Sequence, residues 1–148
     1  MTNIPAILIV EDEGLVRLLG VDTFADAGFR VIEAINGDVA LGLLEADSDV
    51  QLLFTDVSMP GKMDGLALAR EVHDRWPHIG IMVVSGQSVP KTHRLPEGSR
   101  FLRKPYCPEA AVKHAHEMTA NSGRQAAVIG AATLASATSA SITLEKVV

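Results

Sequence analysis

The sequence is short of cysteine, of excess positive charge and of long apolar runs, and each shortage excludes a class of protein. Its one cysteine, Cys107, cannot form a disulfide within the chain, which suits a reducing compartment. With 13 basic and 18 acidic residues the net charge is -5, which argues against direct nucleic-acid binding. No segment predicts a membrane span, and no basic region followed by an apolar one predicts a signal peptide. We therefore expect a cytoplasmic protein with no membrane or direct nucleic-acid partner.

What the chain does contain is a regular alternation of short apolar runs with segments of helical periodicity. The apolar runs predict five strands, at residues 6–10, 29–33, 52–55, 79–84 and 100–103. At 148 residues the chain is long enough to bury one substantial core. Strands that alternate with helices predict parallel βαβ units. The sequence thus predicts an α/β fold with a doubly wound sheet of five strands.

The interval between the fourth and fifth strands departs from this alternation. It contains Pro90 and Pro96 and shows little helical periodicity. A proline in a helix interior costs about 3 kcal/mol or more. We therefore expect the fourth helix to be short or irregular, which would leave an altered surface for contacts with other proteins.

The C-terminal segment also differs from the rest of the chain. Residues 121–148 are rich in alanine, serine and threonine and carry few charges. No helix-turn-helix, zinc site or catalytic domain fits into such a segment. We predict one domain over residues 1–120, followed by a tail that adds no output domain and that gains order from contacts.

Polar residues follow four of the predicted strands. The acidic residues 11–13 follow the first strand, Asp56 ends the third, and Ser85 and Lys104 follow the fourth and fifth. Right-handed crossovers bring the carboxyl ends of all these strands to one edge, where open α/β sheets bind their ligands. Taken singly, Asp56 could equally be a turn residue, and the acidic residues could favour a helix N-terminus. Their convergence on one edge favours a site.

The residue types at this edge indicate a particular chemistry. Neighbouring carboxylates repel one another unless a cation lies between them, and Mg²⁺ prefers oxygen ligands of this kind. Lys104 adds a positive charge and Ser85 a hydroxyl group. A carboxylate nucleophile, a metal, a cation and a hydroxyl are together what phosphoryl transfer to an aspartate requires.

Four motifs in this order resemble those of the two-component response-regulator receiver domains: ILIVEDE, FTDVSMPGKMDG, VVSG and FLRKPY. The resemblance covers about residues 4–120 and implies a flavodoxin-like fold with strand order 2-1-3-4-5. Two features depart from the family pattern. Lys62 is one residue more than many receivers have in that loop, and the interval between Ser85 and Lys104 is short.

The resemblance implies a role for each residue of the acidic part of the edge. Asp56 would be the phosphoacceptor and a metal ligand. Asp12 would bind Mg²⁺ directly, and Glu11 would act on the metal through water. The backbone carbonyl of Ser58 would be the third ligand.

The resemblance also implies roles for the residues at the ends of the last two strands. Lys104 would bind the phosphoryl group, and a cis peptide bond before Pro105 would aim it. Ser85 would be the switch hydroxyl. Phe101 matches the aromatic switch position, although a plain core or edge aromatic is an equally good interpretation of it.

The leading hypothesis is a stand-alone receiver that is phosphorylated on Asp56 by a histidine kinase or a phosphotransfer protein. Such a protein would signal through contact with a downstream protein, and the resemblance also allows a homodimer. It would be no enzyme beyond its own phosphoryl acceptance and slow autodephosphorylation. The alternative is a phosphorylation-independent interaction or assembly module with the same fold. A metal phosphatase is disfavoured, because it would need a second aspartate where Ser58 stands.

Overall fold

A computed structural model describes residues 4–46, 49–59, 61–87 and 95–131, with side chains described as far as residue 120. Within these ranges the chain forms five strands and four helices. In chain order they are β1 (Ala6–Val10), α1 (Gly14–Asp26), β2 (Arg30–Ala34), α2 (Gly37–Ala46), β3 (Val50–Asp56), α3 (Gly65–Arg75), β4 (Gly80–Ser85), β5 (Arg100–Arg103) and α4 (Pro108–Ala131).

The five strands form one parallel sheet in the order β2-β1-β3-β4-β5. The register aligns the carboxyl ends of neighbouring strands. Val10 pairs with Thr55, Asp56 pairs with Val84, and Ser85 is opposite Arg103. The predicted doubly wound fold and its flavodoxin-like strand order are therefore confirmed.

Helices cover both faces of the sheet, so the central strands are apolar on both sides. All five residues of β1 are buried. Leu8 and Val10 pack with α2 and α3, whereas Ile7 and Ile9 pack with α1 and α4. This period of two explains why β1 is a continuous apolar run rather than an alternating one.

Two helix termini follow the signals in the sequence. Gly28 has a φ of +96° just after α1, in the left-handed region that glycine occupies without strain. Asp64 caps α3, since its side chain accepts a hydrogen bond of 2.8 Å from the backbone N–H of Ala67. The predicted strand boundaries differ from those of the structure by at most two residues, as at β3.

Helix α1 buries a narrower face than its apolar residues suggest. Phe24 and Gly20 are buried, but Leu15, Leu18 and Leu19 are exposed by 72%, 52% and 60%. We call these three exposed residues the leucine stripe of α1. The spacing of the leucines indicates a helix correctly, yet it does not indicate which face meets the sheet.

Two predictions fall wholly or partly outside the described residues. The expected short or irregular helix between β4 and β5 falls largely on residues 88–94, which are not described. Helix α4 continues past residue 120 to Ala131, and the rest of the predicted tail, residues 132–148, is not described.

Among the described residues, no helix combines the length and apolar character that crossing a membrane requires.

Candidate functional site

The candidate site lies where the carboxyl ends of β1, β3 and β5 meet. Asp56 is the last residue of β3, and only 11% of its side chain is exposed. The Lys104 Nζ atom lies 3.4 Å from Asp56 Oδ2 and 3.3 Å from Glu11 Oε1. A single ammonium group therefore bridges the carboxylates that end two adjacent strands.

Three carboxylates share this edge. Glu11, Asp12 and Asp56 each offer one oxygen, and these oxygens lie within 4.8 Å of one another. The single charge of Lys104 cannot balance three negative charges. A hard divalent cation takes oxygen ligands of this kind, so the donor set fits Mg²⁺. The structure brings together Glu11, Asp12 and Asp56, three of the four acidic residues that the sequence placed at this edge, and leaves Glu13 outside the cluster.

Burial raises the pKa of Glu11 above its ordinary value, and the nearby charge of Asp56 adds to this effect. A hydrogen bond of 3.2 Å from the Glu13 backbone N–H and the charge of Lys104 oppose the rise. These two contacts do not fully offset the cost of burying the charged carboxylate. A further cation beside Glu11 would therefore stabilise its charged form.

Burial alone would lower the pKa of Lys104, but the carboxylates of Asp56 and Glu11 outweigh it and raise the pKa above its ordinary value. The ammonium group is consequently protonated throughout the neutral range. It provides a permanent positive charge beside Asp56.

The chain after β3 can approach Asp56 closely because residue 65 is glycine. A Cβ atom on Gly65 would lie only 1.9 Å from the backbone oxygen of Asp56. The Gly65 N–H donates a 2.9 Å hydrogen bond to the carbonyl of Val57. Sequence reasoning included Gly65 in a motif but missed this packing role.

Lys104 is held at the end of β5 by its backbone. Its N–H donates a 2.8 Å hydrogen bond to the carbonyl of Ser85, and the Lys104–Pro105 peptide bond is cis, as the resemblance implies. The side chain of Ser85 is buried, and its Oγ accepts a 3.1 Å hydrogen bond from the Gln87 N–H. The ends of β4 and β5 are thus joined beside the site.

The remaining candidates have less direct positions. Ser58 is exposed, two residues past Asp56, on the loop that leaves β3. Phe101 is partly buried and packs against the core between the sheet and helices α2 and α3. Their roles as a metal ligand and a switch stay predictions.

Two residues that sequence reasoning missed also border the site. Tyr106 packs edge-on against Phe54, with ring centroids 5.7 Å apart, and burial raises the pKa of its hydroxyl. Arg17 donates a 2.8 Å hydrogen bond to the backbone carbonyl of Glu11. The signal for Arg17 was its place on α1, one helical turn past the acidic residues.

Comparison with known proteins agrees with this geometry. A sequence model of the response regulator receiver domain matches residues 7–116. The chain belongs to the response regulator receiver family. The match spans the residues of the acidic cluster and Lys104, so the receiver domain contains the whole candidate site.

Curated relatives of this receiver include single receivers and much longer proteins. It is 38% identical over 104 residues to the sensor kinase CckA of Brucella abortus, covering 68% of this chain and 11% of the kinase. It is 32% identical to the response regulator receiver protein CpdR of Brucella abortus, covering 68% of this chain and 84% of CpdR. It thus spans a small part of the kinase and most of CpdR.

Solved structures support the same fold. The receiver domain of the hybrid histidine kinase CckA is 30% identical, with a TM-score of 0.66, and the match covers 77% of this chain and 98% of that one. A response regulator receiver protein from Sinorhizobium medicae has a TM-score of 0.75 at 23% identity, covering 80% and 97% of the two chains. The second likeness concerns the fold alone.

Proposed function

We propose that this receiver is the phosphoacceptor of a two-component system and that Asp56 takes a phosphoryl group from a histidine kinase or a phosphotransfer protein. The observation that carries the proposal is the Lys104 ammonium group within 3.4 Å of both Asp56 and Glu11, beside a third carboxylate. A permanent cation next to a partly exposed carboxylate, in a cluster with the ligands for Mg²⁺, suits phosphoryl transfer better than any other chemistry at this edge.

In the proposed reaction, one carboxylate oxygen of Asp56 attacks phosphorus. A new O–P bond forms, the N–P bond of the donor phosphohistidine breaks, and its electron pair returns to the imidazole nitrogen. Lys104 donates to a phosphoryl oxygen and offsets its charge. Glu11, Asp12, Asp56 and the Ser58 carbonyl would hold Mg²⁺, which when bound supplies further charge stabilisation to the phosphoryl oxygens.

Ser85 is suited to respond to the phosphoryl group. Its Oγ already accepts the Gln87 N–H, and a hydroxyl that accepts one hydrogen bond still has its own proton to donate. We propose that this proton is donated to a phosphoryl oxygen and that Phe101, partly buried on β5, moves with the change. Signalling would then pass through the surface around β4 and β5 to a downstream protein.

The donor protein must reach Asp56, and the leucine stripe lies on α1, the helix that follows Glu11 and Asp12 of the carboxylate cluster. Helix α1 starts two residues after Asp12. Burying an exposed leucine side chain contributes about 1.5–3 kcal/mol. Three such residues at one helical face provide a surface that a donor protein can cover transiently.

We further propose that residues 1–120 are the signalling unit and that residues 121–148 add no output domain. The receiver would not turn over a substrate. Ser58 and Gln87 carry no acid–base group that could activate water, so we expect the phosphoryl group on Asp56 to last longer than seconds and to be lost by slow autodephosphorylation.

The role of Lys104 provides a direct test. Lys104→Met removes the cation while preserving much of the side-chain length, and we expect it to reduce phosphorylation of Asp56 by acetyl phosphate by about a hundredfold, a loss of roughly 3 kcal/mol in charge-assisted contacts. Lys113→Met, on the exposed side of α4, is the matched control and should behave like the wild type. Equal phosphorylation of both variants at saturating Mg²⁺ would contradict the proposed role.

A further inference from the structure

Arg17 makes contacts in two directions from the second turn of α1. Its Nη1 donates a 2.8 Å hydrogen bond to the backbone carbonyl of Glu11, and its Nε lies 3.1 Å from Glu33 Oε1 on β2. The Arg17 side chain is 19% exposed, whereas that of Glu33 is 51% exposed. The contact with Glu33 faces solvent, and the contact with Glu11 faces the loop between β1 and α1.

That loop carries Asp12, and its first residue, Glu11, is held through both its backbone N–H and its backbone carbonyl. The Glu11 N–H donates a 3.1 Å hydrogen bond to the carbonyl of Ala34 on β2, and the Glu11 carbonyl accepts from Arg17. The Glu11 carbonyl and the Asp12 N–H belong to one planar peptide unit. A guanidinium group that fixes this carbonyl therefore also fixes the plane that contains the Asp12 Cα atom, from which the Asp12 side chain leaves the backbone.

We infer that Arg17 is a positioning residue for the carboxylate cluster of Glu11, Asp12 and Asp56. The inference rests on the proposed function, in which this cluster binds Mg²⁺. Arg17 does so through the Glu11 carbonyl and makes no contribution of its own to the ligand set. Residues that orient metal ligands in this way typically change metal affinity by about 10–100-fold when they are replaced.

If Arg17 is merely a nearby cation, its removal should change the affinity for Mg²⁺ in the opposite direction. Like charges repel, so removal of an arginine close to a metal site would strengthen the binding of Mg²⁺. Loss of positioning would weaken it. The direction of the change therefore distinguishes the two roles without any assumption about its size.

The test is a calorimetric titration of the folded protein with Mg²⁺. We expect Arg17→Met to raise the Kd about tenfold. Glu33→Gln is the matched control, because it removes the solvent-facing ion pair and leaves the contact with the Glu11 carbonyl. An exposed pair of this kind contributes little, so the Kd of Glu33→Gln should stay within about twofold of the wild type.

A second variant covers the case in which Arg17→Met does not fold. Arg17→Lys keeps the charge but cannot donate to the Glu11 carbonyl and the Glu33 carboxylate through one planar group. We expect it to weaken Mg²⁺ binding by about threefold or more and to shift the amide resonance of Asp12. Wild-type or tighter affinity in the folded Arg17 variants would overturn the inference alone. A wild-type protein that does not bind Mg²⁺ would overturn both the inference and the proposed function.

Discussion

Single residues decide how closely the loop after β3 packs against Asp56. Asp56 ends the strand, and the chain returns within a few residues to begin α3 at Gly65. The contact between Gly65 and the backbone of Asp56 leaves no room for a side chain, since the obstructing atom belongs to the main chain and cannot turn away. The position of Asp56 thus depends on a residue that contributes no functional group.

We predict that Gly65→Ala destabilises the receiver by about 3 kcal/mol or more, because the added methyl group forces the backbone of Asp56 to move. Denaturant unfolding measures the effect. Gly42→Ala is the control, since Gly42 is exposed on α2 and a Cβ there meets nothing within 4 Å. It should stabilise the protein by about 0.5–1 kcal/mol. Similar unfolding midpoints for the two variants would show that a methyl group fits at position 65 and would contradict this account.

The site residues differ in how visible they are in the sequence. Asp56 and Lys104 could be predicted because strand ends in a parallel sheet share one edge, and a carboxylate or an ammonium group there has a chemical meaning. The roles of Gly65 and Arg17 could not, because each depends on the approach of a particular backbone carbonyl. Spacing along the chain contains no information about such an approach.

Helix α1 carries the surface that we assign to the phosphoryl donor. Leu15, Leu18 and Leu19 are three and four residues apart and so lie on one face of the helix, which is exposed. The buried face instead contains Gly20, where a Cβ would be 3.6 Å from Ile9. A small residue allows the helix to approach β1, and it gives little hydrophobic signal. For this reason the spacing of the leucines indicated the helix but not its buried face.

We predict that Leu18→Arg slows phosphoryl transfer from a phosphorylated histidine kinase or phosphotransfer protein by about tenfold, since the apolar contact is lost and a charge is buried. Phosphorylation by acetyl phosphate should be unchanged, because that small donor needs no protein surface. Ile4→Arg is the matched control: Ile4 is 63% exposed and precedes β1, at the opposite edge of the sheet. An equal loss with both donors would place the effect in the site rather than on the surface.

Strand β5 is joined to α4 by an exposed ion pair. The Arg100 Nη1 atom lies 2.6 Å from Glu117 Oε1 and donates to His114 Nδ1 at 2.7 Å. The hydrogen bond from Arg100 lowers the pKa of Glu117 below its ordinary value. A lowered pKa in the folded state gives stability that is present above about pH 4.3, the ordinary value for glutamate, and that is lost as the pH falls through the lowered pKa.

We predict that an NMR titration finds the pKa of Glu117 below that of an unstructured glutamate. In Arg100→Met most of this difference should disappear, so that the pKa rises towards its ordinary value. Arg100→Lys should retain part of it through its charge. Because Phe101 follows Arg100 on the same strand, the Arg100→Met spectrum also reports whether this ion pair orders β5. An unchanged pKa of Glu117 in Arg100→Met would contradict the assignment.

The fold of the whole molecule follows from the alternation of strands and helices along the chain. Five apolar runs separated by helical segments were enough to predict a doubly wound sheet, because parallel strands need helical crossovers and right-handed crossovers collect the strand ends. The same rule predicted the location of the site. Composition could not indicate how far α4 continues, since alanine-rich segments have high helix propensity wherever they end. The helix passes the expected domain boundary and reaches Ala131.

The central claim is that Asp56 accepts a phosphoryl group with the help of Mg²⁺. The measurement that tests it most directly is the intact mass of the full chain after incubation with acetyl phosphate and Mg²⁺, beside Asp56→Asn and a sample containing a chelator. We predict one phosphoryl adduct on the wild type with Mg²⁺ and none on the variant or without the metal. A folded wild-type protein that gains no adduct would contradict the claim and would favour the phosphorylation-independent assembly module instead.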